Sequence, residues 1–166
     1  MSKRRTPEQL REAYALLADA AINLHNSPKT KTCPKQRAFN IRQVCNGLYD
    51  TPSTHTGLIS EKAHVLLHDE EQDIKKSDLV KEHFYPRTTS AYKIFEMLDA
   101  GATEDELIEY IEMVCQVHLV TKDENSRLRS FQKRDSDYDT WEEQYAAAKI
   151  KLIPYVPKKR KRKSKK

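Results

Sequence analysis

The chain has 166 residues, with 37% hydrophobic and 33% charged side chains, a mean hydropathy of -0.85 and a formal net charge of +5. That length suits one domain with a real core. No apolar run approaches the ~18 residues of a membrane span, no signal peptide is expected, and only 3 Gly argue against a Gly-rich phosphate loop or a turn-dense β-sandwich.

The first predicted element is a helix over Thr6 to His25. Thr6 caps it, Pro7 suits the first helical position, and Gln9 completes a capping box. Leu10, Tyr14, Leu17, Ala21 and Leu24 make its apolar stripe, and Asn26, Ser27 and Pro28 stop it. A second helix follows Pro34, with Ala38, Ile41, Val44 and Leu48 inward, Gly47 as terminator and Lys35, Arg37 and Arg42 outward. Asp50 to Thr56 reads as loop. Ser60 then caps a short helix to Asp69 that buries Ala63, Leu66 and Leu67, followed by a charged loop from Glu70 to Asp78.

Leu79 to Tyr85 alternates like a strand and ends at Pro86. Two helices come next. Thr89 to Ala100 buries Tyr92, Phe95 and Leu98 and stops at Gly101; Thr103 to Val114 opens with a capping box of Thr103 and Glu106. Cys115 to Val120 is short and β-branched, a second strand. Thr121 and Glu124 box the next helix, which turns Leu128 and Phe131 inward. A last helix runs from Asp139 to Ala148 with Trp141 and Tyr145, and Ile150 to Val156 is at most an edge strand. The expected fold is mainly α with a small antiparallel β-hairpin, an α+β protein.

The charge is unevenly placed. Residues 158 to 166 hold 8 of the 30 Lys and Arg, and Lys3, Arg4 and Arg5 hold 3 more, with no acid among them. The remaining 19 bases face 25 acids in residues 6 to 157, a net of -6. The expected organisation is a basic arm at 1–5, a single globular domain at 6–155 and a disordered basic tail at 156–166. Such a tail gains free energy by releasing counterions from a polyanion, whatever the base sequence. Lys158, Lys159, Arg160, Lys161, Arg162 and Lys163 are therefore candidate nucleic-acid contacts, and the run also reads as a nuclear localisation signal. Cys33, Cys45 and Cys115 are an odd count without a close pair, as in a reducing compartment: bacterial or infected-host cytoplasm, or the nucleus if the tail is a localisation signal.

Two segments carry candidate chemistry. Glu82-His83-Phe84-Tyr85-Pro86-Arg87 places a carboxylate and an imidazole at a strand end, with Arg87 as a bidentate phosphate donor. His118-Leu119-Val120-Thr121-Lys122-Asp123-Glu124-Asn125 is a strand running into a capped helix. Together they resemble the HNH, or ββα-metal, nucleases, in particular the phage homing-endonuclease branch, over residues 79 to 130. The resemblance implies a ββα-metal core, here with two helices inserted between the motifs. It also implies Glu82 and Asn125 as ligands of Mg²⁺ or another divalent cation, and His83 as the base that activates water. Gln116 stands where the family's His-orienting Asn falls, and Glu82 where Asp is usual. Thr121 and Glu124 also satisfy a capping box by themselves.

His64 and His68 share a helix face at metal-binding spacing, without a third ligand placed by the sequence. Walker, dinucleotide and nucleophile-elbow motifs are absent. The leading expectation is a metal-dependent endonuclease acting on nucleic acid, DNA first, with a homodimer or a protein partner open. The alternative is a non-catalytic nucleic-acid-binding or partner-binding regulatory protein, such as a virus encodes.

Overall fold

The computed structural model describes residues 5–68, 78–132, 138 and 140–156. In chain order these form α1 (Pro7–Asn26), α2 (Pro28–Thr32), α3 (Pro34–Asp50), β1 (Thr54–Ser60), α4 (Glu61–His68), β2 (Leu79–Glu82), α5 (Arg87–Asp99), α6 (Glu104–Val114), β3 (Gln116–Thr121), α7 (Lys122–Leu128), α8 (Trp141–Ala147) and β4 (Leu152–Pro154). The protein is mainly helical with a small four-stranded sheet, an α+β architecture. No helix among the described residues is long and apolar enough to cross a membrane.

The chain divides into two compact units, residues 1–54 with 83–117, and residues 55–82 with 118–166. The first is helical. α1 packs on α6 and α3, and α3 packs on α5. Their inward stripes supply one core of Tyr14, Leu17, Ala18, Ile41, Val44, Leu48, Ala91, Ile94, Phe95, Leu107, Ile111 and Val114. Thr6 and Thr103 cap α1 and α6 through the expected capping boxes. At the other end of α1, His25 Nε2 meets Asp99 Oδ1 at 2.9 Å, and Arg37 also binds this carboxylate. These contacts to Arg37 and His25 hold the Asp99 carboxyl below the usual carboxylate range.

Three details of this unit differ from the sequence expectation. α3 runs through Gly47 to Asp50, because Gly47 is a place of close approach and not a stop: a Cβ there would lie 2.5 Å from Leu17 Cδ1. Pro28 both ends α1 and, as the first residue of α2, starts a five-residue helix. α5 begins at Arg87, and its inward face is Ser90, Ala91, Ile94 and Phe95, with Tyr92 and Leu98 only half-buried. Small residues admit the close helix contact.

The second unit holds most of the sheet, whose order is β2-β3-β1-β4. β2 and β3 are antiparallel, with Leu79 opposite Thr121 and Glu82 opposite His118. β1 and β4 are antiparallel, with Leu58 opposite Pro154. β1 falls where a loop and a helix cap were expected. Its alternation is broken by Gly57 at φ 85, where the carbonyl nonetheless accepts from the Tyr155 amide at 2.7 Å. Ser60, its last residue, does cap α4, accepting from the Ala63 amide at 3.0 Å. β2 stops at Glu82, three residues short of the expected end. α7 and α8 open on capping boxes at Thr121 and Thr140.

Candidate functional site

In the first unit the chemistry gathers around His83 and Arg87. Pro86 ends the extended segment and serves as N-cap of α5, so Arg87, four residues after His83, stands on the first helical turn. There its Nη2 lies 2.6 Å from His83 Nε2, and Ser53 Oγ approaches the same nitrogen at 3.1 Å. A guanidinium can only donate. Nε2 is therefore the acceptor in this contact. The Arg87 guanidinium also stacks 4.3 Å from the centroid of Tyr49, at the end of α3. Burial pulls its pKa below the ordinary arginine value, while the nearby Cys115 acts in the opposite direction. Burial pushes the Cys115 thiol up to about 11, so this cysteine is an inert core group. Gln116, the first residue of β3, also belongs to this unit and is half-buried.

In the second unit, β2, β3 and α7 form a strand–strand–helix arrangement, with α7 packed on β2. Glu82 is buried at the end of β2, and its Oε1 accepts from Gln132 Nε2 at 2.9 Å. Across the ladder, His118 is 1% exposed, edge-on to Trp141 and Tyr145 with centroids 4.9 and 5.3 Å away. Burial, aided by His55, lowers its pKa to about 4, so the imidazole is neutral at neutral pH. Burial and the carboxylates of Glu82 and Glu124 push the Tyr145 hydroxyl well above its usual range.

Glu124 is buried too. Its Oε2 accepts from Ser60 Oγ at 2.6 Å, the Thr121 amide at 2.9 Å and Thr121 Oγ1 at 3.0 Å. Asn125, the next residue, is half-exposed, and its carboxamide makes no hydrogen bond among the described residues. The acid of the second motif is thus committed to a structural network.

The four core candidates are therefore divided, with His83 and Gln116 in the first unit and Glu82 and Asn125 in the second. Arg87, expected only as a phosphate donor, contacts His83. Glu82 and Asn125 stand on packed elements, but the carboxylate engages Gln132. Lys158, Lys159, Arg160, Lys161, Arg162 and Lys163 lie outside the described residues. His64 and His68 stack with centroids 4.3 Å apart, and among the described residues no group of three or more His, Cys, Asp or Glu is arranged to hold a metal. Sequence reasoning passed over Ser53, Tyr49 and Gln132, and named His118 at the head of the second motif without giving it a role. Only His118 had a signal, since period-two alternation puts it on the face of the buried Val120. The others are joined to the site through the fold alone. Comparisons with protein-family models, curated proteins and solved structures return no match.

Proposed function

We propose that the chain is a metal-dependent endonuclease of HNH type that hydrolyses phosphodiester bonds in nucleic acid, DNA first. The observation that carries this reading is the contact of Arg87 Nη2 with His83 Nε2. In it the lone pair of Nε2 is occupied by a cation of the kind that binds phosphate. An incoming phosphate competes for the guanidinium through two parallel hydrogen bonds, which are stronger than its single bond to an imidazole. Arg87 then turns to the phosphate, Nε2 is uncovered, and it takes the proton of the attacking water. The Ser53 hydroxyl, which lies 3.1 Å from the same nitrogen, must turn aside in the same step for Nε2 to reach the water. The pairing thus couples exposure of the base to arrival of the substrate.

Glu82 and Asn125 offer a carboxylate and a carboxamide oxygen, the hard donor class that Mg²⁺ prefers and completes with water and substrate oxygens. The unpartnered carboxamide of Asn125 fits that part. A divalent ion held by these groups would stabilise the charge that develops on the phosphate and the leaving oxygen.

The test is nicking of supercoiled plasmid in Mg²⁺ or Mn²⁺, wild type beside His83→Ala, with thermal unfolding to show that the variant folds. Nicking that needs the metal and disappears in the variant is expected; undiminished cutting by His83→Ala sinks the assignment. The second reading, a non-catalytic nucleic-acid-binding protein, is favoured by the lack of a three-ligand metal cluster among the described residues. It predicts salt-sensitive binding and no cleavage with any metal.

A further inference from the structure

Residues 20 to 49 contain five bases, Lys29, Lys31, Lys35, Arg37 and Arg42, and no acid. Residues 6 to 157 carry a net of -6 in all, so this single stretch holds +5 and the remainder of that span holds -11. The folded body is therefore not uniformly repellent to phosphate. Its positive charge is concentrated on α2 and α3. Of the five, Arg37 is committed to Asp99, while Lys29, Lys31, Lys35 and Arg42 are exposed and make no ion pair among the described residues.

The stripes of α3 make this concentration directional. Asn40, Ile41, Val44 and Leu48 are buried against the core. On the opposite side Lys35, Phe39, Arg42, Asn46 and Tyr49 follow one another at intervals of four, three, four and three residues, which is one face of a helix. All five are exposed, including two large rings, Phe39 at 49% and Tyr49 at 61%. Base, ring, base, amide, ring interleaves cations with exposed aromatic faces. It is the combination that grips a nucleic-acid strand, with cations on phosphates and aromatic faces against bases or sugars. At 1.5 Å per residue the stripe is about 21 Å long, and Lys35 and Arg42 are about 10 Å apart, roughly three nucleotide steps of a duplex strand. Its last ring, Tyr49, carries the Arg87 guanidinium that contacts His83.

We propose that the exposed stripe Lys35–Phe39–Arg42–Asn46–Tyr49 of α3 is a nucleic-acid docking track that leads a strand to the His83–Arg87 pair. The track rests on the nuclease reading only for its destination; its binding role stands separately.

The test is fluorescence anisotropy of the full chain with labelled 20-nucleotide single-stranded and duplex DNA, in EDTA so that no cleavage intervenes, over 50–300 mM salt. Lys35→Glu with Arg42→Glu is expected to weaken duplex binding roughly tenfold or more and to reduce the slope of log K against log salt by about 1.8, the loss of two phosphate contacts. Phe39→Ser is expected to weaken single-strand binding roughly tenfold, and Lys93→Glu, on exposed α5 surface, to change neither. Because all these side chains are exposed, unchanged thermal unfolding is expected throughout, and Lys35→Gln with Arg42→Gln provides a milder pair. If the Lys35/Arg42 variants bind like Lys93→Glu, or if removing residues 157–166 abolishes all binding, the track is refuted. Binding that depends on the stripe without any metal-dependent nicking leaves the track standing and removes the nuclease reading. Nicking with stripe-independent binding does the reverse.

Discussion

Replacing Glu124 by alanine asks whether the strand-to-helix motif is first of all an architectural device. One oxygen, Oε2, receives the Ser60 hydroxyl, the Thr121 amide and the Thr121 hydroxyl at 2.6, 2.9 and 3.0 Å, and the residue is 3% exposed. Ser60 in turn accepts from the Ala63 amide, so this oxygen ties the end of β1 and the start of α4 to the start of α7. Alanine leaves three donors facing a methyl group. The two hydroxyls can rotate to other acceptors. The Thr121 amide cannot, and an unsatisfied buried donor costs about 1–3 kcal/mol. That amide bond is the reciprocal half of the capping box, the other half surviving in alanine, and the vacated volume adds about 1 kcal/mol. A destabilisation of about 2–4 kcal/mol follows, a large share of the roughly 5–15 kcal/mol that typical domains possess. Glutamine keeps an acceptor oxygen but loses the charge assistance, so Glu124→Gln should cost about 1–2 kcal/mol. Urea unfolding followed by Trp141, the single tryptophan and a member of the same unit, measures both. Ser60→Ala closes a double-mutant cycle with an expected coupling of about 1–2 kcal/mol. A Glu124→Ala loss below about 1 kcal/mol, or strict additivity with Ser60→Ala, would refute the reasoning.

Asn125→Ala is the complementary change: it removes an unpartnered, half-exposed amide, so stability should stay within about 0.5 kcal/mol while metal-dependent nicking falls at least tenfold. Nicking at the wild-type rate argues against Asn125 as a metal ligand. His118 makes the second unit sensitive to acid. Its folded pKa of about 4 lies below the ordinary value of 6.5, so below pH 6.5 the unfolded chain binds the proton first. Stability is therefore intact above pH 6.5 and declines as the pH falls toward 4, by up to about 3 kcal/mol from this one group. His118→Phe keeps an aromatic ring against Trp141 and Tyr145. Its unfolding free energy, compared with wild type at pH 7 and at pH 4.5, should lose that share of the decline; equal declines would show that His118 is not the source.

Much of the helical frame was legible because its signals are local. Thr6, Thr103 and Thr121 each sit three residues before a Gln or Glu, and a capping box needs nothing beyond that spacing. The 3.6-residue stripe of α1 and α6 likewise reports its own inward face. β1 was not legible, since Gly57 interrupts its alternation and its ladder partners, β3 and β4, lie about sixty and a hundred residues later. Gly47 misled for a related reason. As a letter it reads as a stop, and only the closeness of Leu17 shows that it is a gap for another helix.

The candidate site divides in the same way. Sequence alone determined that the chain is polar and helix-rich, that its ends are basic, and that His83 and Arg87 are four residues apart. It also suggested that the body as a whole repels phosphate. Tertiary structure decided which of these facts bear on chemistry. It set Arg87 against His83 and Tyr49, assigned Glu124 to a buried hydrogen-bond network, left the Asn125 carboxamide without a hydrogen bond among the described residues and lined up the bases and rings of α3 on one exposed face. The physical reason is range. Caps and amphipathic stripes are interactions among residues a few positions apart. Burial, hydrogen-bond commitment and electrostatic neighbourhood depend on partners that the chain brings together only when it folds.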